Sequence, residues 1–308
     1  MPTFRLFYFT FIVVLAGCGS TPKAKQPSLP PAIADVHLHY NGNQEGVTTA
    51  DEAMAILDRQ NVQLAVVSST PPELALTLQQ AGGDRVIPLF RPYFSPHQRH
   101  RWFADDTVLP RTRRALASGQ YKGIGEIHLV AGLGPNLKND ILHGLIRLGI
   151  RYDVPLLIHI ETSSERYFIP LCRQYPAARF LIAHAGGLLS ARQIGNLFEA
   201  CPNTWTEFSA RDHMRYTQSA IVDESGALLP SWAELVQRYP DRFMIGSDPF
   251  WPVEKESAME EPDTGWQHVR EYLNFHRRWL KSLPKSLRRK LRIDNAMAFF
   301  RVKPRTTP

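Results

Sequence analysis

The sequence predicts one large α/β domain, a closed (β/α)8 barrel, behind an N-terminal export segment. Three observations carry this. Short segments rich in Val, Ile and Leu alternate with amphipathic helical segments from about residue 32 onward. The short segments are almost continuously apolar, as parallel strands covered on both faces must be. About 275 residues follow the N-terminal segment without a second linker, the usual size of such a barrel.

Residues 32–39 read as the first strand. Thr48-Thr49-Ala50-Asp51-Glu52 is a helix start, and that helix runs to about Gln60 with Ala53, Ile56 and Leu57 inward. A second strand spans 62–68, and a helix over 71–81 stops at Gly82-Gly83. The third strand, 85–92, leads by a long connection to a helix over 108–118 that closes at Gly119. The fourth strand is 122–129, followed by a long amphipathic helix over 136–152. The fifth is 155–161, with a helix over 164–175. The sixth, 178–184, runs into Ala185-Gly186-Gly187 and a helix over 190–200. The seventh, 204–209, precedes an excursion over 210–229 and a helix ending at Tyr239. The eighth is 242–248, and a last amphipathic helix covers 265–283. The long insertions at 93–107, 210–229 and 249–264 all follow strands, which in a barrel places them at the C-terminal mouth, where active sites are built.

The first 31 residues have a different character. Arg5 is the only charge before an apolar run from Leu6 to Ala16, too short for a mature spanning helix and suited to a signal h-region. Leu15-Ala16-Gly17-Cys18 resembles the lipobox of bacterial lipoproteins. That resemblance implies cleavage after residue 17, lipid attachment to the Cys18 sulfur, and membrane anchoring through it. Gly19 is not the Asp that signals inner-membrane retention, so a periplasm-facing outer-membrane site is expected. Residues 18–31, rich in Pro, Ser, Lys and Ala, form a tether, and residues 32–303 form the domain.

Net charge is +7, yet it is concentrated at the two ends. Eleven basic residues and one acid lie between Arg277 and Pro308, and residues 31–276 are net negative. The basic tail reads as a solvated helix face. The body holds no basic patch interleaved with aromatics, so nucleic acid is not an expected partner. Cys172 and Cys201 fall on neighbouring helices. A disulfide is allowed in an oxidising compartment, but two separate buried thiols are expected.

The strand ends carry the chemistry. His37 and His39, in Asp35-Val36-His37-Leu38-His39, lie two apart on a strand and so share a face. Strand 4 contributes Glu126, strand 5 His159, strand 6 His184 and strand 8 Asp248. Alone, each has an ordinary structural explanation. Converging on one barrel mouth, they form a metal-ligand set. This order, His-x-His, His, His and Asp on strands 1, 5, 6 and 8, resembles the amidohydrolase superfamily from Ile33 to about Phe300. Ile182-Ala183-His184-Ala185-Gly186-Gly187, Gly246-Ser247-Asp248 and residues 294–300 look like its amidohydrolase-2 branch. Gly125-Glu126-Ile127 is instead similar to TatD-type deoxyribonucleases, although His128-Leu129 replaces the Gly-Leu-Asp expected there.

The resemblance implies a divalent metal, zinc foremost, as one or two ions. His37, His39 and Asp248 would hold the first, and Glu126 would bridge to a second bound by His159 and His184. A divalent ion lowers the pKa of its water to about 7. Asp248 is placed to take that proton and return it to the leaving group, and His184 can polarise the substrate or act as acid and base. Arg91, His128 and Arg211 are candidate contacts to a small-molecule substrate, with Glu161 and Ser209 of the same grade. Trp251 is expected to pack. The expected activity is hydrolysis of a small ester, lactone, amide or phosphoester. Decarboxylation at the same site and a non-catalytic binding lipoprotein are the alternatives. Oligomeric state is not readable.

Overall fold

The computed structural model describes residues 28–215, 220–251 and 261–302, with Met1 and Thr3. The signal segment, Cys18 and most of the tether lie outside the described residues, as do parts of the two insertions after strands 7 and 8.

The elements follow the predicted alternation. Strand β1 (Ile33–Leu38) is succeeded by a helical turn α1 (Gly42–Glu45) and α2 (Ala50–Arg59), and β2 (Val62–Ser68) by α3 (Glu73–Gly82). Then come β3 (Val86–Leu89), α4 (Val108–Ala117), β4 (Ile124–Val130) and α5 (Asp140–Arg151). β5 (Leu156–Glu161), α6 (Ile169–Gln174), β6 (Phe180–Ile182) and α7 (Ala191–Ala200) continue the array. It ends with β7 (Thr204–Glu207), α8 (Pro230–Arg238), β8 (Phe243–Met244), α9 (Val269–Leu280), α10 (Lys285–Arg289) and α11 (Asn295–Phe299). Thr49 caps α2: its hydroxyl accepts from the Glu52 amide, and the Glu52 carboxylate accepts from the Thr49 amide at 2.9 Å. The predicted helix over 136–152 is shorter, because Asn139 caps it by accepting from the Leu142 amide.

All neighbouring strands pair in parallel, as β1-β2-β3 and β4-β5-β6-β7-β8. Backbone bonds join the two sets into a barrel. Phe90 N–H donates to Gly123 O at 2.9 Å and Gly125 N–H to Phe90 O at 2.9 Å. On the other side Val36 N–H donates to Ile245 O at 2.9 Å and Asp248 N–H to His37 O at 2.7 Å. A small interior core of Ala34, Val36, Leu64, Val66, Leu89, Leu157, Leu181 and Met244 fills the barrel below the mouth. α11 plugs the bottom with Ala296, Met297 and Phe299, and the Asn295 amide donates to Pro240 O and Phe243 O. The larger core lies between strands and helices.

Two bulges aim the mouth. Asp35 pairs with Ala65 and Leu38 with Val67, so β1 carries one residue more than β2 over that step. Ile124 pairs with Leu156 and Ile127 with Ile158, which adds one residue to β4. Each extra residue shifts the inward face by one position, and bulges do this next to active sites. His37 and Glu126 lie within these steps, and with His39 and His128 beyond them they point inward. Gly125 has φ +135°, and a Cβ there would lie 2.4 Å from Leu157 O, so only glycine fits beneath Glu126.

The structure departs from expectation at the cysteines. Cys172 and Cys201 form a disulfide rather than two separate thiols. The end of α7 folds back beside α6 and brings their Cα atoms to 5.9 Å, within bridging range. Among the described residues no helix is long and apolar enough to cross a membrane.

Candidate metal centre

The inward side chains of the strand ends meet in one buried layer. His37, Glu207 and Ser209 are at most 0% exposed, and His39, Glu126, His128, His159 and His184 are all buried. His37 Nε2 lies 3.2 Å from His39 Nε2, and Asp248 Oδ1 lies 3.3 Å from His39 Nε2. Glu126 Oε1 is 3.0 Å from His159 Nδ1 and 3.5 Å from His184 Nε2, and His184 Nε2 is 3.1 Å from His159 Nδ1. Three groups of ligand atoms cluster tightly: His37, His39 and Asp248; His37, Glu126 and His184; and Glu126, His128 and His159.

The outer ring nitrogens explain why the inner ones converge. His37 Nδ1 pairs with Glu207 Oε1 at 2.9 Å, and His39 Nδ1 with Ser68 O at 2.6 Å. His128 Nδ1 meets the Tyr93 hydroxyl at 2.7 Å, His159 Nε2 meets Glu161 Oε1 at 3.0 Å, and His184 Nδ1 meets Ser209 Oγ at 2.8 Å. An acceptor on the outer nitrogen assigns the proton there and leaves the inner nitrogen with its lone pair. All five histidines are thus oriented as metal ligands are. Lone pairs of His37, His39 and Asp248 face one another with no proton between them when both imidazoles are neutral. This donor set fits a divalent cation.

The electrostatics agree. Burial raises the Asp248 carboxyl, but His37, His39, His184 and Arg215 outweigh it and hold it down at about 2. Burial likewise opposes ionisation of Glu126, whose histidine partners keep it well below the usual carboxylate range. Burial lowers His37, yet Glu126, Asp248 and Glu207 raise it to about 9, so protons and cations compete for this nitrogen.

The backbone is strained at two of these positions. His184 has φ +56° and Asp248 φ +48°. His184 stands beyond β6, which ends at Ile182, rather than on the strand as predicted. The left-handed turn swings the imidazole over His37, with ring centroids 4.9 Å apart.

The other predicted contacts divide. Arg91 is buried and directs its guanidinium at Glu126 Oε2, 2.9 Å away, and at Thr70 Oγ1; it orients a carboxylate of the centre. His128 joins the centre. The Arg211 guanidinium donates to Gly187 O and Leu189 O over the Trp232 ring, tying down the turn that holds His184. Trp251 packs near His268, as expected.

Two residues escaped the sequence reading. Glu207 accepts from the His184 amide at 2.8 Å and from Ser209 Oγ at 2.9 Å while holding His37, and burial is outweighed by these partners so that its carboxyl falls to about 2. Its signal was a carboxylate at the inward end of strand 7. Arg215 donates to the backbone carbonyls of Ser247 and Asp248 and pairs with Asp212. Gly246 makes room for this arrangement, since a Cβ would lie 2.7 Å from both Glu207 Oε2 and His37 Cβ.

The amidohydrolase family model matches residues 34–302. The chain belongs to that family. Solved structures share the amidohydrolase fold. A TatD homologue from Escherichia coli is 16% identical, covers 88% of this chain and 98% of its own, and superposes with a TM-score of 0.60. A candidate 2-pyrone-4,6-dicarboxylic acid hydrolase from Pseudomonas putida is 16% identical, with 88% and 98% covered and a TM-score of 0.56. A Burkholderia multivorans amidohydrolase with bound zinc is 16% identical, with 88% and 100% covered and a TM-score of 0.52. No curated protein matches significantly.

Proposed function

We propose that this amidohydrolase is a metal-dependent hydrolase of a small ester, lactone, amide or phosphoester. The observation that carries the reading is the inward convergence of five histidines whose outer nitrogens are all satisfied, around ionised Glu126 and Asp248. His37, His39 and Asp248 hold the first divalent ion, with Glu126, His159 and His184 available to a second. When bound, such an ion supplies Lewis acidity and makes hydroxide accessible near neutral pH.

The chain's own residues do the rest. Asp248 is the most exposed of the three ligands, at 15% of its side chain, and so faces arriving substrate. Ionised, it takes a proton from the attacking water and passes it to the leaving group. Arg91 holds Glu126 and Glu207 holds His37, so neither ligand reorganises during the reaction.

The test is a screen of zinc-, manganese- and iron-reloaded protein against esters, lactones, amides, phosphoesters and aromatic carboxylates. Hydrolysis of one class is expected. Release of carbon dioxide without hydrolysis would replace this reading with decarboxylation. Turnover of no class by metal-loaded protein would favour a binding role. We propose in addition that Cys18 carries a lipid that tethers the barrel to the periplasmic face of the outer membrane. Labelled palmitate incorporation that persists in Cys18→Ala would refute that anchor.

A further inference from the structure

We infer that His128, on β4, is itself a metal ligand: with Glu126 and His159 it forms a second cation subsite beside the His37, His39 and Asp248 subsite. The inference deepens the metal-dependent reading above and rests on it. The strand-4 motif matched by resemblance supplies a glutamate only, and nothing in it assigns the histidine two residues later.

The proton count at Tyr93 makes the case. The Tyr93 hydroxyl has one proton, and it lies 3.1 Å from Glu126 O, a group that only accepts. The hydroxyl therefore accepts from His128 Nδ1–H at 2.7 Å. His128 Nε2 is left with its lone pair, and it faces Glu126 Oε2 at 3.6 Å. Two buried acceptors facing each other without a proton between them repel unless a cation joins them. His128 is 5% exposed, so bulk solvent has little access to the contact.

The neighbours are arranged to the same end. His159 stacks on His128 with centroids 4.5 Å apart, and its outer nitrogen is held by Glu161. Its inner nitrogen is directed at Glu126 Oε1. Arg91 donates to Glu126 Oε2, the oxygen that His128 Nε2 faces, and so fixes the carboxylate between the two imidazoles; its guanidinium lies 4.8 Å from the Tyr93 ring centroid. Ligating carboxylates and histidines have orienting partners of this kind. The ligand atoms of Glu126, His128 and His159 lie within 4.8 Å of one another. One imidazole-rich carboxylate site of this type suits zinc, manganese or iron.

Metal counting in the full chain tests this. Protein stripped with chelator is reloaded with zinc, desalted and assayed for zinc per chain, with His128→Ala beside the parent. Two ions in the parent and one in His128→Ala are expected. Anomalous scattering from zinc-loaded parent crystals gives a second measurement independent of how the variant folds. A peak about 2 Å from His128 Nε2 is expected. Two ions retained in His128→Ala, or a second peak out of bonding range of His128, would overturn the assignment. A single ion in the parent, at His37, His39 and Asp248, would overturn it while leaving the hydrolase reading intact. No ion in the parent would remove both.

Discussion

His37 Nε2 and His39 Nε2 face each other at 3.2 Å while Glu207 and the Ser68 carbonyl hold the protons on their far nitrogens. The contact arises because the β1 bulge turns both rings inward above the interior core. Alternation on a strand puts two histidines on one face. The partners behind them fix which nitrogen looks in.

Glu207 should therefore matter for metal without touching it. Glu207→Gln keeps the volume but removes the charge that orients His37 and accepts the His184 amide. Metal affinity per folded chain should fall about 10- to 100-fold. Competition against a chromophoric chelator reads this directly; unchanged affinity would contradict the role.

Gly125→Ala should damage stability and site together. Its φ of +135° disfavours any side chain, and the new methyl would meet the Leu157 carbonyl. A loss of about 2 kcal/mol or more is expected in urea unfolding, with Glu126 displaced and metal stoichiometry reduced.

Acid sensitivity should trace in part to His276. It is fully buried on α9, and its Nδ1 accepts from Trp279 Nε1 at 3.1 Å. Burial, together with Arg215, outweighs Asp212 and Glu207 and lowers it to about 4. The unfolded chain binds this proton near pH 6.5 and the folded chain only near pH 4, so stability falls as pH drops between those values. Between pH 7 and 5 the contribution is about 2 kcal/mol. Urea unfolding of His276→Gln should show a correspondingly smaller loss over that range than the parent; equal losses would rule His276 out.

Opening the Cys172–Cys201 bridge frees a loop of 29 residues between α6 and the end of α7. Cys172→Ala with Cys201→Ala should cost about 3 kcal/mol, read as a lower urea midpoint. The centre lies elsewhere in the barrel, so turnover per folded chain should be unaltered.

Much of this was legible in the sequence, for physical reasons. Parallel strands buried on both faces announce themselves by apolar runs, and ligands at their C-terminal ends stand out as charged or imidazole groups where the run stops. His37, His39, Glu126, His159, His184 and Asp248 were singled out in that way, and the structure brings them together in one cluster. Glu207 was missed because its partners, His37 and the His184 amide, are distant in sequence and the strand around it, Thr204–Glu207, is polar. Arg211 and Arg91 looked alike as arginines near strand ends. Only folding distinguishes one that meets carbonyls from one that meets a ligand carboxylate. Residues 294–300 stood out by resemblance, but that α11 closes the barrel floor was not legible, because Ala296, Met297 and Phe299 gain that meaning only against the strands above them. The disulfide depended on how two helices pack, which spacing does not encode.

The central claim is that the His37, His39 and Asp248 cluster holds the ion on which hydrolysis depends. The most direct measurement is hydrolysis by chelator-stripped and zinc-reloaded protein, for the parent and for His37→Ala, alongside zinc content. Activity should vanish on stripping and return with zinc in the parent. In His37→Ala it should stay at least about 10³-fold lower, equal to about 4 kcal/mol of lost transition-state stabilisation. Full turnover by the stripped parent, or by zinc-loaded His37→Ala, would contradict the account.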